Sequence, residues 1–333
     1  MSKSFTHTHL HTKYSVRDAI TDPEALMRKC AEMEQRTVGV TDHGTLAGMW
    51  ECAKYAKKYG VKLIPGNEVY IVPDVNKCRG AEWSTKGKSA HLVLLAVNQE
   101  GWRNLLALTT RSSLEGFYCQ PRVDYQMLRE HSVGVYAQSA CLGGVCAKAW
   151  RAGNSLHLLT ETFKEIYGDR FSLEIQLNTI PEQMKFNEAL MQVAKDTDTP
   201  LVATVDSHYL DKADSHKQDL VFCLGMDKLL KDPDRHRYPV EAHSVESSEE
   251  VYDRFVSTYG EVGRQAVQRT VDIADVADAK IEVETRDYKI PSISIRAMED
   301  YADFSQWAQK LIQERGPSYE REFYERLSDR STK

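Results

Sequence analysis

Residues 5–15 read FTHTHLHTKYS, with His7, His9 and His11 at every second position. In an extended strand residues i, i+2 and i+4 share a face, so the three imidazoles would line one surface. Phe5, Thr6, Thr8 and Thr12 suit a strand, and neutral imidazole is the commonest metal ligand among side chains. A metal site needs more donors, and the chain supplies them at comparable places. Asp18 lies in the loop after His11. Apolar runs lead into Thr41-Asp42-His43-Gly44, Gly66-Asn67-Glu68, Ser139-Ala140-Cys141-Leu142-Gly143-Gly144 and Asp206-Ser207-His208. His91 opens such a run instead of closing it, an exception to the pattern. Asp206-x-His208 repeats the spacing of His9-x-His11. Imidazoles, carboxylates and one thiol together suit Zn²⁺, Mn²⁺ or Fe²⁺ better than Ca²⁺. Nine donors exceed the needs of one tetrahedral ion, which implies a multinuclear cluster. Three divalent ions would outweigh the charges of Asp18, Glu68, Asp206 and a Cys141 thiolate, so an acidic chain could still hold a phosphate there.

These donors need a scaffold that brings strand ends together. Candidate strands fall at 5–10, 37–41, 62–65 with 68–72, 91–97, 133–137, 171–177 and 201–205. Helical patterns lie between them at 22–35, 45–59, 100–114, 154–168 and 181–197, with Pro23 and Gly60 placed as helix starts and stops usually are. Alternation of this kind predicts parallel β/α winding, and about seven strands favour a barrel, whose active sites form at the C-terminal strand edges. After residue 208 the pattern is helical, at 211–223, 247–259, 261–277 and 299–315, with a charged loop at 225–245. The expected division is a barrel over 1–285 and a connector-like helical tail over 286–333.

Composition narrows the function classes. The chain of 333 residues is 41% hydrophobic and 28% charged, with no apolar run near the roughly 20 residues of a bilayer span and no signal-peptide pattern. Its seven cysteines are scattered without a C-x-x-C pair, which argues for reduced thiols and a cytoplasmic setting. A net charge of −6 excludes an overall basic face for nucleic acid but leaves room for a local one. Lys77, Arg79, Lys86 and Lys88 stand beside Trp83, and Arg122 follows, a mixture that suits a single-stranded end. The plainer alternative is a solvated loop. His131, His157, His216, His236 and His243 are expected at the surface.

The stretches HLHTKYS, VTDHGTLAG, IPGNEVYI, HLVLLAVNQEGWRNLLALTTRSSLEGFYCQPRVD, SACLGG and VATVDSHYL resemble the polymerase and histidinol phosphatase (PHP) domain. They are most similar to its form at the N-terminus of the bacterial DNA polymerase III alpha subunit, over roughly residues 5–295. The resemblance implies a distorted (β/α)7 TIM-like barrel with a C-terminal helical extension and a trinuclear centre of Zn²⁺, Mn²⁺ or Fe²⁺, with Mg²⁺ as a further candidate. Carried over position by position, His9, His11, Glu68 and Asp206 would hold one ion, Glu68, His91 and Cys141 a second, and Asp18, His43 and His208 a third. His7 and Asp42 would stand behind the ligands. The chain stops about where that polymerase's palm would start, so it is expected not to polymerise DNA alone and to be a stand-alone, split-gene or phage-type protein, or an excised domain. The leading expectation is a metal-dependent 3′→5′ exonuclease in DNA replication, acting on frayed or single-stranded DNA in the cytoplasm of a bacterial or phage-infected cell. The alternatives are a docking module for a separately encoded polymerase core or another replisome protein, and a small-molecule phosphatase. No membrane partner is expected.

Overall fold

The computed structural model describes residues 3–83, 88–235, 237, 243–278, 280–283 and 304–316. The chain divides into two units, Met1–Glu284 and Thr285–Lys333. In the second, the described residues form a helix at Phe304–Arg315; residues 299–303 of the expected helix lie outside the described residues. Residues 288–291, expected to form the start of a connector, lie outside the described residues, as does the tail beyond Gly316.

In the first unit, seven strands build one mixed sheet: β1 (Thr37–Val40), β2 (Lys62–Ile71), β3 (Ala90–Ala96), β4 (Arg122–Val123), β5 (Val135–Gln138), β6 (Phe171–Gln176) and β7 (Leu201–Thr204). Their order is β1-β2-β3-β5-β6-β7, with β4 beside β2. The N-terminal segment joins the two edges. Gly39 N donates to the His7 carbonyl (2.7 Å) and Thr41 N to that of Leu10 (2.8 Å), while His11 N donates to the Ser207 carbonyl beyond β7 (2.8 Å). The sheet therefore curls into a distorted barrel of seven staves, as the sequence predicts.

Three expectations need correction. Residues 5–10 do not form a regular strand, because Leu10 N turns to the Thr41 hydroxyl (3.1 Å) and only a single bridge, Leu10 to Ser207, is made. The three imidazoles consequently do not share one surface. Residues Lys62–Ile71 are one strand, not two: β2 pairs with β1 through Lys62–Pro65 and with β3 through Gly66–Ile71. Glu68 is thus mid-strand. Finally, β3 runs antiparallel to both β2 and β5, so its first residues lie at the edge where the parallel strands end. That orientation explains His91, which opens β3 and still reaches the site.

Helices 23–32, 49–59, 99–114, 156–167 and 181–197 cover the outside, packing on outward-facing strand residues such as Val69, Leu92, Leu94, Leu173, Ile175 and Ala203. Asp22 caps the first of these helices, accepting from Glu24 N and Ala25 N with Pro23 in the first turn. Two further helices, Tyr125–Glu130 and Val145–Arg151, are too short to show a clear period in sequence. Strand residues facing inward form layers. At the floor, Ile64, Val93, Leu95, Tyr136 and Val202 pack with Ile273 and Ala274 of helix Glu261–Val276. Above them lie polar residues, with Thr8 donating to Gln138 (3.3 Å) and Gln176 and Thr204 both donating to Glu174 (2.8 and 2.6 Å). Charged and metal-competent groups stand at the mouth. No helix among the described residues is long and apolar enough to cross a membrane.

Candidate metal centre

Glu68 occupies the middle of the mouth, fully buried, because β2 continues past the end of β1 and the chain after β1 follows it. Glu68 N donates to the Asp42 carbonyl (3.1 Å) and Gly44 N to that of Glu68 (2.9 Å). Four imidazoles surround its carboxylate: His43 Nδ1 at 2.7 Å, His91 Nδ1 at 3.1 Å, and His9 Nε2 and His11 Nε2 each at 3.4 Å. Asp206 completes a second group, its Oδ1 lying 3.2 Å from His9 Nε2 and 3.3 Å from His11 Nε2. Asp18 Oδ2 forms a third, 2.8 Å from His43 Nε2 and 3.3 Å from His208 Nε2.

Cys141 arrives by a tight turn after β5. Ala140 is left-handed, with φ 63°. A Cβ on Gly144 would fall 2.4 Å from the Ser139 carbonyl oxygen, so the turn needs glycine there. The turn docks on the start of β3 through His91 N donating to the Gly143 carbonyl (3.0 Å), which brings the His91 ring and Cys141 Sγ together over the open face of Gly143, 3.0 and 3.5 Å from where a Cβ would stand. All nine sequence-derived donors therefore gather at one end of the barrel.

Imidazole orientation favours ligation. His9 Nδ1 binds the buried Glu174 carboxylate (2.7 Å), His11 Nδ1 the Ser15 hydroxyl (3.0 Å), and His208 Nδ1 donates to the Asp206 carbonyl (2.8 Å). Holding one ring nitrogen leaves Nε2 aimed inward, the arrangement that fixes metal-binding histidines. His9 Nε2, His11 Nε2, Asp18 Oδ1, His43 Nδ1, Glu68 Oε2 and Asp206 Oδ1 are buried without a well-formed hydrogen bond. Buried polar atoms are nearly always satisfied, so this concentration calls for an ion. Donors about 2.0–2.1 Å from a tetrahedral ion stand about 3.3 Å apart, and His9, His11 and Asp206 match that spacing. The donor set fits divalent metal ions.

Without ions, protons would have to balance the carboxylates. Burial opposes charge on His208, yet Asp18 and Asp206 outweigh it and push its pKa up to about 9. Burial and the neighbouring His43 hold His11 down at about 3. The Cys141 thiol is pushed well up by burial and by Asp206 and Glu68. Burial works against ionised Asp206, but His9 and His208 hold it below its ordinary value.

The supporting residues differ from the expected ones. Asp42 accepts from Thr12 N (2.7 Å) and from the Thr12 and Ser15 hydroxyls (2.7 and 2.8 Å), so it organises the loop bearing Asp18 and reaches His11 only through Ser15. His7 Nε2 faces the Glu246 carbonyl (2.9 Å) and its Nδ1 the Ser207 hydroxyl (3.5 Å). Glu174 was not anticipated, although a lone carboxylate in the apolar run FSLEIQL marks it. His243, expected at the surface, is 3% exposed and sits against His208. Among the positively charged candidates, Arg122 is buried and donates to the carbonyls of Gly116 (3.1 Å) and Cys78 (2.5 Å), so it is a structural clamp and no surface contact. Arg79 binds the carbonyls of Val75 and Glu115 (3.1 and 2.9 Å). Lys88 is exposed, and Lys86 lies outside the described residues.

Known proteins resemble this chain in sequence and in fold. The DNA polymerase III subunit alpha of Thermus aquaticus is 35% identical over 293 residues, covering 86% of this chain and 24% of that protein. That of Aquifex aeolicus is 31% identical over 344 residues, covering 98% and 29%. The chain thus spans about a quarter of the length of the curated relatives it matches. An amidohydrolase structure from Chromobacterium violaceum aligns over 62% of this chain and 88% of its own, with 13% identity and a TM-score of 0.40. The PHP domain matches residues 7–178, which carry seven of the nine donors. With that match and the relatives above, the chain belongs to the PHP domain family.

Proposed function

We propose that this chain is a metal-dependent phosphoesterase acting on DNA, a 3′→5′ exonuclease of proofreading type associated with replication. The observation that carries this reading is the complete donor set, with buried carboxylate and imidazole atoms converging unsatisfied at the barrel mouth. The similarity to DNA polymerase III alpha subunits points to DNA as the phosphodiester.

In this reading His9, His11, Glu68 and Asp206 hold one ion, Glu68, His91 and Cys141 a second, and Asp18, His43 and His208 a third. Bound divalent ions supply activated water and neutralise the charge of a phosphoryl group in displacement. Glu68 would contribute to two of these ion positions, and Glu174 and Ser15 keep His9 and His11 aimed into the centre. Lys88, exposed above the mouth-side end of β3, is a phosphate contact for the incoming strand, together with Lys86. A separately encoded polymerase core or replisome protein is the expected partner, and the bacterial cytoplasm the expected setting.

The test is digestion of 5′-labelled single-stranded and frayed DNA by protein loaded with Zn²⁺, Mn²⁺ or Fe²⁺. Stepwise shortening is expected, lost in His9→Ala, Asp206→Ala and Glu68→Ala and kept in His131→Ala. Equal digestion by Glu68→Ala would assign the activity to a contaminant. Inertness of the loaded parent toward every DNA end would refute the exonuclease reading in favour of a docking module.

A further inference from the structure

His243 lies 35 residues beyond His208 in sequence, yet the two share one structural unit. The segment 243–245 runs beside 207–210. His208 N donates to the His243 carbonyl (2.7 Å), Val245 N to that of Tyr209 (3.0 Å), and the Ser207 hydroxyl to that of Ser244 (3.0 Å). The His243 ring turns inward, edge-on to His208 at 5.5 Å. Its Nδ1 stands 2.9 Å from the Asp206 carbonyl oxygen, and His208 Nδ1 stands 2.8 Å from the same atom. A carbonyl only accepts, so both ring nitrogens carry hydrogen and both donate to it.

That carbonyl belongs to a residue in an uncommon conformation. Asp206 is left-handed, with φ 59°, a region that non-glycine residues enter at a cost when surrounding contacts enforce it. The turn takes the chain out of β7 while the Asp206 carboxylate stays on His9 and His11. Two imidazole donors on one oxygen are the contacts that enforce it.

We propose that His243 is a positioning residue for the metal centre: its Nδ1–H fixes the Asp206 carbonyl, and with it the left-handed turn that aims the Asp206 carboxylate. This rests on the reading of the cluster as a metal centre. His243 also grips His208 through its own carbonyl, so one residue from outside the barrel strands sets the spacing of two donors. Its role requires a hydrogen on the nitrogen nearest the backbone. The side-chain amide of asparagine places N–H at that position, and the longer glutamine does not.

The test uses the full chain loaded with Co²⁺, followed by visible absorption and by competition with a chelator, for the parent, His243→Ala, His243→Asn and His243→Gln. Loss of a residue that orients a ligand typically weakens metal retention roughly 10–100-fold. His243→Ala and His243→Gln should release Co²⁺ at correspondingly lower chelator concentrations with a changed absorption band, and His243→Asn should recover both. Melting in excess chelator separates folding from metal affinity; if the alanine variant does not fold, the asparagine and glutamine pair decides. Equal Co²⁺ retention by parent and His243→Ala, or no advantage of asparagine over glutamine, would overturn the proposal. A parent chain that takes up no Co²⁺ would overturn the reading of the cluster itself.

Discussion

Replacing Glu68 by glutamine keeps the volume in the centre of the mouth and removes its charge. In the metal-free protein the consequence should depend on pH, and His43 sets the sign. Burial alone would lower the His43 pKa, but Glu68 at 2.7 Å, with Tyr70 and Asp18, raises it well above 6.5. A folded pKa above the unfolded value contributes stability that is complete below 6.5 and fades as pH rises through the folded value. Glutamine deletes the strongest of the raising influences, so burial prevails and the imidazole stays neutral. Keeping it neutral at pH 5 against an unfolded value of 6.5 costs about 2 kcal/mol, at about 1.4 kcal/mol per pH unit. Asp18 remains 2.8 Å from Nε2, which makes that an upper figure. Glu68 is held well below 4.5, because His91, His43 and His9 outweigh the opposing effect of burial, so in the parent it keeps its charge at pH 5. The gap between parent and Glu68→Gln should therefore widen by up to about 4 kcal/mol between pH 8 and pH 5, about half of it gained by the parent as pH falls to 6.5 and half lost by the variant below it, or roughly 7 °C in Tm for a unit of this size. Urea and thermal melts in excess chelator at pH 8, 6.5 and 5 measure it. A gap that is constant, or that narrows toward pH 5, would refute the reasoning.

Other outcomes follow from the same geometry. Metal uptake at pH 7 should release protons, since His208, raised to about 9 by Asp18 and Asp206 against burial, carries one beforehand. Calorimetric heats that do not change with the ionisation enthalpy of the buffer would contradict this. Glu174→Gln should loosen His9 and weaken metal retention roughly 10–100-fold while activity falls with occupancy, checked by chelator competition. Arg122→Ala should cost about 2–4 kcal/mol in denaturant melts, because two backbone carbonyls lose a buried donor, and should leave DNA-end affinity of the folded fraction unchanged. Elemental analysis after reconstitution should find more than one ion per chain; a single equivalent would oppose the cluster.

The donors other than the mid-strand Glu68 were legible because they sit beside a recognisable strand end or turn, where type and spacing are local properties. Their supports were less so. Glu174 meets His9 across 165 residues, and nothing local says which interior carboxylate faces which ring. Arg122 looked like a surface cation because sequence shows charge and not burial; its Nε and Nη1 donate to carbonyls of two loops. His243 was hidden by charged neighbours in a loop, although its contacts are to the chain after β7. The direction of β3 was equally invisible, since an apolar run reads the same in parallel and antiparallel sheets. His91 was the hint, a ligand at the wrong end of a strand until the strand is turned round.

The closed floor of the barrel has a kinetic consequence. Among the described residues, Ile64, Val93, Leu95, Tyr136 and Val202, capped by Ile273 and Ala274, close the barrel beneath the charged mouth with apolar side chains. Under the proposed function, ions, the DNA end and the released product would then share the doorway at the mouth. On that reading ions would bind before a strand, and a strand lying across the doorway would hold them in. Chelators should strip the idle protein quickly and the occupied one slowly, so the residence time of the ions becomes a clock that reports how long DNA stays bound.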